Sequence, residues 1–139
     1  MSDAGPRRWL LAATLAVVLA ACGQASPDLF AVTRSGDGPA DDVTLVVNDG
    51  GTVTCNGGSP RQLGGDRLLA ARELTRELAA AAELQLELPP GPDPMLFYRV
   101  ESEAGTVSFS DASRNRPAAL DRLVGFVSDV AENVCGIER

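Results

Sequence analysis

Histidine and lysine are both missing from this 139-residue chain, tryptophan occurs once, and aromatic residues amount to 4%. Without His there is no triad base, no imidazole metal ligand and no ordinary proton shuttle near neutrality. The positive charge rests on 12 Arg against 19 acids, a net charge of -7. A nucleic-acid binder needs a basic stripe to meet phosphates, so that class is set aside. The one Trp, Trp9, lies near the amino terminus. Beyond it the chain has no tryptophan with which to build an aromatic platform. Hydrophobic residues reach 45%, too many for a wholly disordered chain, and the length suits one domain.

The amino terminus reads as an export signal. Arg7 and Arg8 supply positive charge, and Trp9 to Ala21 is uncharged. That run is too short to span a bilayer, which takes about 20 apolar residues, and has the length of a signal-peptide core. It closes on Leu19-Ala20-Ala21-Cys22, followed by Gly23. This order resembles the lipobox of bacterial lipoproteins. The resemblance implies a diacylglyceryl group on the Cys22 thiol and cleavage between Ala21 and Cys22. It also implies a lipid-anchored protein on the outer side of the cell membrane. An ordinary secretory signal and an uncleaved anchor are the other readings of the stretch. The Arg pair before Trp9-Leu10-Leu11 also resembles a twin-arginine signal, so the export route stays open. Residues 1–21 are thus expected to be the signal peptide, 22–27 the lipidated Cys and tether, and 28–139 the extracytoplasmic domain.

Removing Arg7, Arg8 and Asp3 leaves ten Arg against eighteen acids, a net charge of -8 for the exported part. Such a domain is repelled by anionic headgroups, so the membrane is met through the lipid alone. With Cys22 committed to lipid, Cys55 and Cys135 remain. In an oxidising compartment a pair reads as a disulfide. Metal binding fails for want of His or a second Cys near either one, and a catalytic Cys has no base to activate it.

Asp28 to Arg34 has strand composition, and Ser35 to Asp42 is a Gly/Pro/Asp loop. Val43 to Asn48 is the clearest strand, being rich in β-branched residues. Asp49-Gly50-Gly51 signals a hairpin, returned by Thr52 to Cys55, and Asn56 to Pro60 reads as a loop. From Asp66 to about Leu86 the stripe Leu68, Ala71, Leu74, Leu78, Ala81 predicts a helix, with Asp66 as cap or first-turn acid. Leu88 to Pro94 holds four prolines and is a connector. Met95 to Glu101 and Thr106 to Ser110 form a second hairpin. Leu96, Tyr98 and Val100 point one way, Phe97, Arg99 and Glu101 the other. Phe97 and Tyr98 therefore face opposite sides, and whichever points away from the core is the best hint of a binding face, although the first strand or a loop is expected to cover it. Pro117 suits the first position of a last helix that runs to about Cys135. Its stripe is Leu120, Leu123, Val124, Val127, Val130, Ala131, Val134, and Gly136 is the stop. Gly51-Thr52-Val53 and Gly105-Thr106-Val107 echo one another, so the order is β-ββα-ββα. The expected fold is α+β, an antiparallel sheet of about five strands with two helices on one face, stapled by Cys55–Cys135.

Catalytic signals are sparse. Asp41, Asp42 and Asp111 lie in loops, and Asp37, Asp41 and Asp42 lack the spacing of an EF-hand. Asn56-Gly57-Gly58 is followed by Ser59-Pro60 and lacks the Lys of a phosphate loop. Ser108 and Ser110 have no base nearby. No catalytic residue, metal site or cofactor is expected.

The segments Gly51-Thr52-Val53 to Cys55-Asn56-Gly57-Gly58, Leu88-Pro89-Pro90-Gly91, Tyr98-Arg99-Val100 and Val134-Cys135-Gly136 resemble small uncharacterised lipoproteins of actinobacteria. That resemblance carries no activity. A fainter similarity is to subtilisin-inhibitor-like domains, which also set two helices on an antiparallel sheet. This chain lacks their second disulfide and their Cys-flanked reactive loop. The expected role is a non-catalytic binding or accessory module of the cell envelope, with an envelope protein or ligand as partner. The alternatives are a protease inhibitor, with Leu88 to Pro94 or Ser35 to Asp42 as bait, and a small hydrolase.

Overall fold

A computed structural model describes residues 25–138, and the signal segment with Ala21 and Cys22 lies outside the described residues. The strands are β1 (Asp28–Gly36), β2 (Val43–Asn48), β3 (Thr52–Cys55), β4 (Arg61–Gln62), β5 (Leu96–Ser102) and β6 (Gly105–Ser110). The helices are α1 (Gly65–Glu83) and α2 (Ala118–Asn133). One antiparallel sheet has the order β4-β3-β2-β1-β5-β6, so the first strand is central and a hairpin flanks it on either side. This is the expected α+β architecture, with a sixth, two-residue strand beyond the five read from the sequence.

Period-two alternation determines which face is buried. Register brings Val32 between Leu45 and Val100, and Phe30 opposite Val47. Val53, Val107, Tyr98 and Phe109 extend the same inner layer. The helices cover it. Ala71, Leu74, Leu78 and Ala82 of α1 are buried, as are Leu120, Leu123, Phe126, Val127 and Val130 of α2. Ala82 completes the α1 stripe where Ala81 was expected. Phe126, absent from the expected α2 stripe, meets Phe30 edge-on at 5.9 Å. Tyr98 and Phe109 stack at 5.0 Å.

Helix α1 crosses the sheet from one hairpin turn to the other. A Cβ on Gly51 would lie 3.6 Å from Leu68, and one on Gly105 would collide with the Ala82 carbonyl. Gly105 also has φ 141°, so two constraints exclude a side chain there. The α1 start is capped by Gly64 with no side-chain hydrogen bond, so Asp66 acts only as the first-turn acid. The helix ends at Glu83, short of Leu86, in a Schellman motif. Leu86 N–H donates to Ala81 O at 2.9 Å, Gln85 N–H to Ala82 O at 2.9 Å, and Gln85 takes φ 51°. Helix α2 starts after Pro117, which occupies the cap position, and ends at Asn133. Gly136 follows at φ 71°, and Ile137 N–H reaches back to Ala131 O at 2.8 Å.

The strand β4 follows the expected loop Asn56 to Pro60, at two residues for which no element was expected. Asn56 and Gly57 take φ 51° and 72°, and Gly58 N–H donates to Cys55 O at 3.0 Å. That is the left-handed geometry of an Asn-Gly turn, which sends the chain back to pair Arg61 with Val53. On the far side, Leu86 to Leu88 runs along the β6 edge. Ser108 N–H donates to Leu86 O and Leu88 N–H to Ser108 O, each at 2.9 Å. Both sheet edges therefore end in short or paired backbone, which limits strand addition there.

Candidate functional site

Cys55, at the end of β3, and Cys135, just past α2, form the expected disulfide with Cα atoms 5.9 Å apart. It fastens the last helix to the sheet near the β3–β4 turn. Lipidation of Cys22 and cleavage after Ala21 concern residues outside the described part.

The acids picked out from the sequence serve loop geometry. Asp41 Oδ2 accepts from Gly38 N–H at 2.8 Å and Asp42 Oδ1 from Gly36 N–H at 3.2 Å. Asp111 Oδ1 accepts from Met95 N–H at 3.0 Å. Among the described residues, no group of three or more His, Cys, Asp or Glu is placed to hold a metal ion. The same loop is pinned from beneath by Arg34, which is 1% exposed. Its Nε donates to Asp41 O at 3.0 Å and its Nη2 to Ala40 O at 2.9 Å. Nothing in the sequence marks Arg34 for burial, other than its inward phase on β1.

Ser110 at the end of β6 and Ser113 just past it likewise hold backbone. Ser110 Oγ donates to Pro90 O, and Ser113 Oγ to Pro89 O at 2.7 Å. They fix the start of the Leu88 to Pro94 connector against the sheet. Gly91 and Asp93 in it take φ 72° and 50°, so it turns instead of presenting an extended strand.

Among the described residues, two concavities bear on binding. The first, about 560 Å³, lies between the helices over Ala70, Leu74, Gly125 and Phe126. Ion pairs cross this seam. Arg67 meets Asp129 at 2.7 Å and Arg122 meets Glu77 at 2.5 Å. The Asp129 carboxyl is held below the ordinary carboxylate value, first by the hydrogen bond from Arg67 and then by that from Asn133. Arg67 is raised in turn by the same carboxylate.

The second, about 430 Å³, lies on the open face of the sheet. Thr33, Ser35, Arg99 and Ser108 form its floor, with Phe97, Leu88 and Pro90 around it. Register sets Ser35 beside Phe97 and Thr33 beside Arg99. Alternation sends Tyr98 inward, at 2% exposure, and Phe97 outward, at 45%. Strand β1 lies beside Phe97 in the plane of the sheet and leaves it exposed, which corrects the expectation that the first strand or a loop covers this ring. Met95, one pleat further, is 70% exposed. Arg99 and Glu101, also outward, pair with each other at 2.9 Å. This face can bind, through an aromatic ring, apolar neighbours and hydroxyls, but offers no activated nucleophile.

No protein-family model, no curated protein and no solved structure matches this chain.

Proposed function

We propose that the chain is a lipid-anchored lipoprotein on the outer side of the cell membrane whose domain is a non-catalytic binding or accessory module. The observation that carries the module reading is the open sheet face with Phe97 of β5 exposed on it. The order of residues 7 to 22 supports the anchor. A disulfide-braced sheet with helices on one side offers a broad flat surface, and a domain of this size leaves little room for an enclosed pocket. The inhibitor alternative draws less support, because the positive φ values of Gly91 and Asp93 interrupt the extended segment that a bait loop needs.

Crosslinking of the full-length protein on intact cells, followed by identification of the adducts, tests this. A discrete adduct that depends on Phe97 is expected. Turnover of an ester or glycoside substrate, lost on changing one acid such as Asp111→Asn, would overturn the reading in favour of a hydrolase.

A further inference from the structure

We propose that the partner on the open sheet face is a second copy of this chain, packed face to face across a two-fold axis parallel to the strands. The inference rests on the reading of that face as a binding surface and names its occupant.

Charge is the first argument. The exported part carries -8, so two copies repel over most of their surfaces. The outward positions of the sheet are the exception. Thr33, Thr44, Val46, Thr54 and Ser108 are uncharged, Arg99 and Glu101 neutralise each other, and the exposed acid lining this face, Glu87, sits at its rim beside β6. Depletion of charge around an exposed aromatic ring is the composition of an interface core.

Geometry is the second. A two-fold axis along β1 sets β5 of one copy over β2 of the other, because these strands flank β1 on opposite sides. The Arg99–Glu101 pair then faces Thr44 and Val46, and no two like charges are brought together. Aligned sheets pack this way at about 10 Å separation. The same axis leaves both β1 starts, at Asp28, at one end. Two copies anchored through Cys22 in one membrane require that arrangement.

Area is the third. Five strands about 4.8 Å apart and about 20 Å long offer roughly 500 Å² per copy. The total of about 1,000 Å² sits at the lower limit for a specific interface. The pair is therefore weak in dilute solution and gains from the high effective concentration of copies held on one surface.

The test places a photo-reactive benzophenone amino acid at Thr33, near the axis, in the full-length chain in cells, and at Arg76 on the exposed helix layer as control. A crosslinked species of twice the monomer mass is expected from position 33 and not from 76. Phe97→Glu should abolish it and Phe97→Leu should retain it, with non-reducing mass spectrometry checking that Cys55–Cys135 is intact in each. No dimer from position 33, equal dimer from both positions, or a single heterologous adduct would each overturn the proposal. A parallel fatty-acid label separates the two readings. Label with no dimer leaves the anchor standing and removes the self-association. A dimer without label does the reverse.

Discussion

Gln85 occupies the position in the α1 Schellman motif that glycine fills at least cost, with φ 51°. Its side chain is exposed, so nothing is lost by removing it. Relief of the left-handed strain outweighs the extra freedom of glycine in the unfolded chain. Gln85→Gly should therefore raise the unfolding free energy by about 0.5–1 kcal/mol in urea titration. An unchanged or lowered midpoint would contradict this account of the cap. Single-residue phase was legible in the sequence where alternation is strict. Tyr98 inward and Phe97 outward follow from the pleat alone. Arg34 shows the limit of that logic. Its phase points inward, but its burial depends on the Ala40 and Asp41 carbonyls of a loop whose path no local pattern specifies.

At the scale of elements, the disulfide closes a sequence separation of 80 residues. Chain entropy assigns such a loop about 4.5 kcal/mol, and removal of native disulfides from small secreted domains costs about 2–5 kcal/mol. Cys55→Ser or Cys135→Ser should lower stability by that amount in denaturant titration, and native protein should present no alkylatable thiol at either position. The seam between the helices gives a second test. Asp129 is depressed in the folded state, so its contribution is present above the ordinary carboxylate value and lost as pH falls through the folded one. Stability of the wild type relative to Asp129→Asn should shrink as pH falls through and below the ordinary carboxylate range, and a difference independent of pH would refute the pairing. Long periodic elements were legible because their periods are local. Strand β4 was not, although Asn56-Gly57 carried the turn signal. Its two residues pair only because the turn returns them to Val53 and Thr52. Phe126 escaped the α2 stripe because that helix is covered by both the sheet and α1, which widens its buried arc past a single stripe.

For the whole molecule, the low charge of the open face could be seen only after register had aligned strands distant in sequence. The order around β1 is a non-local fact, and no single strand carries it. That order also gives the domain a direction relative to its proposed anchor. Asn48 Nδ2 donates to Ser26 O at 2.6 Å, and Asp49 N–H to Pro27 O at 2.9 Å. From Ser26 onward the chain is fastened to the β2–β3 turn. The four steps from Cys22 to Ser26 reach about 14 Å at full extension. Anchored through Cys22, the domain stands with β1 leading away from the membrane and Phe97 near the far end, beside Ser35. The acid surplus gives no second hold on anionic lipid. Two or more acyl chains, at roughly 0.8 kcal/mol per buried methylene, suffice alone. The exported protein should therefore lose both its fatty-acid label and its membrane association in Cys22→Ala, at low salt as well as high. Metabolic labelling and fractionation read the two effects separately. Equal labelling of wild type and Cys22→Ala would refute the lipidation. Retention of an unlabelled Cys22→Ala protein on membranes would point to an uncleaved apolar segment, Trp9 to Ala21, as the anchor.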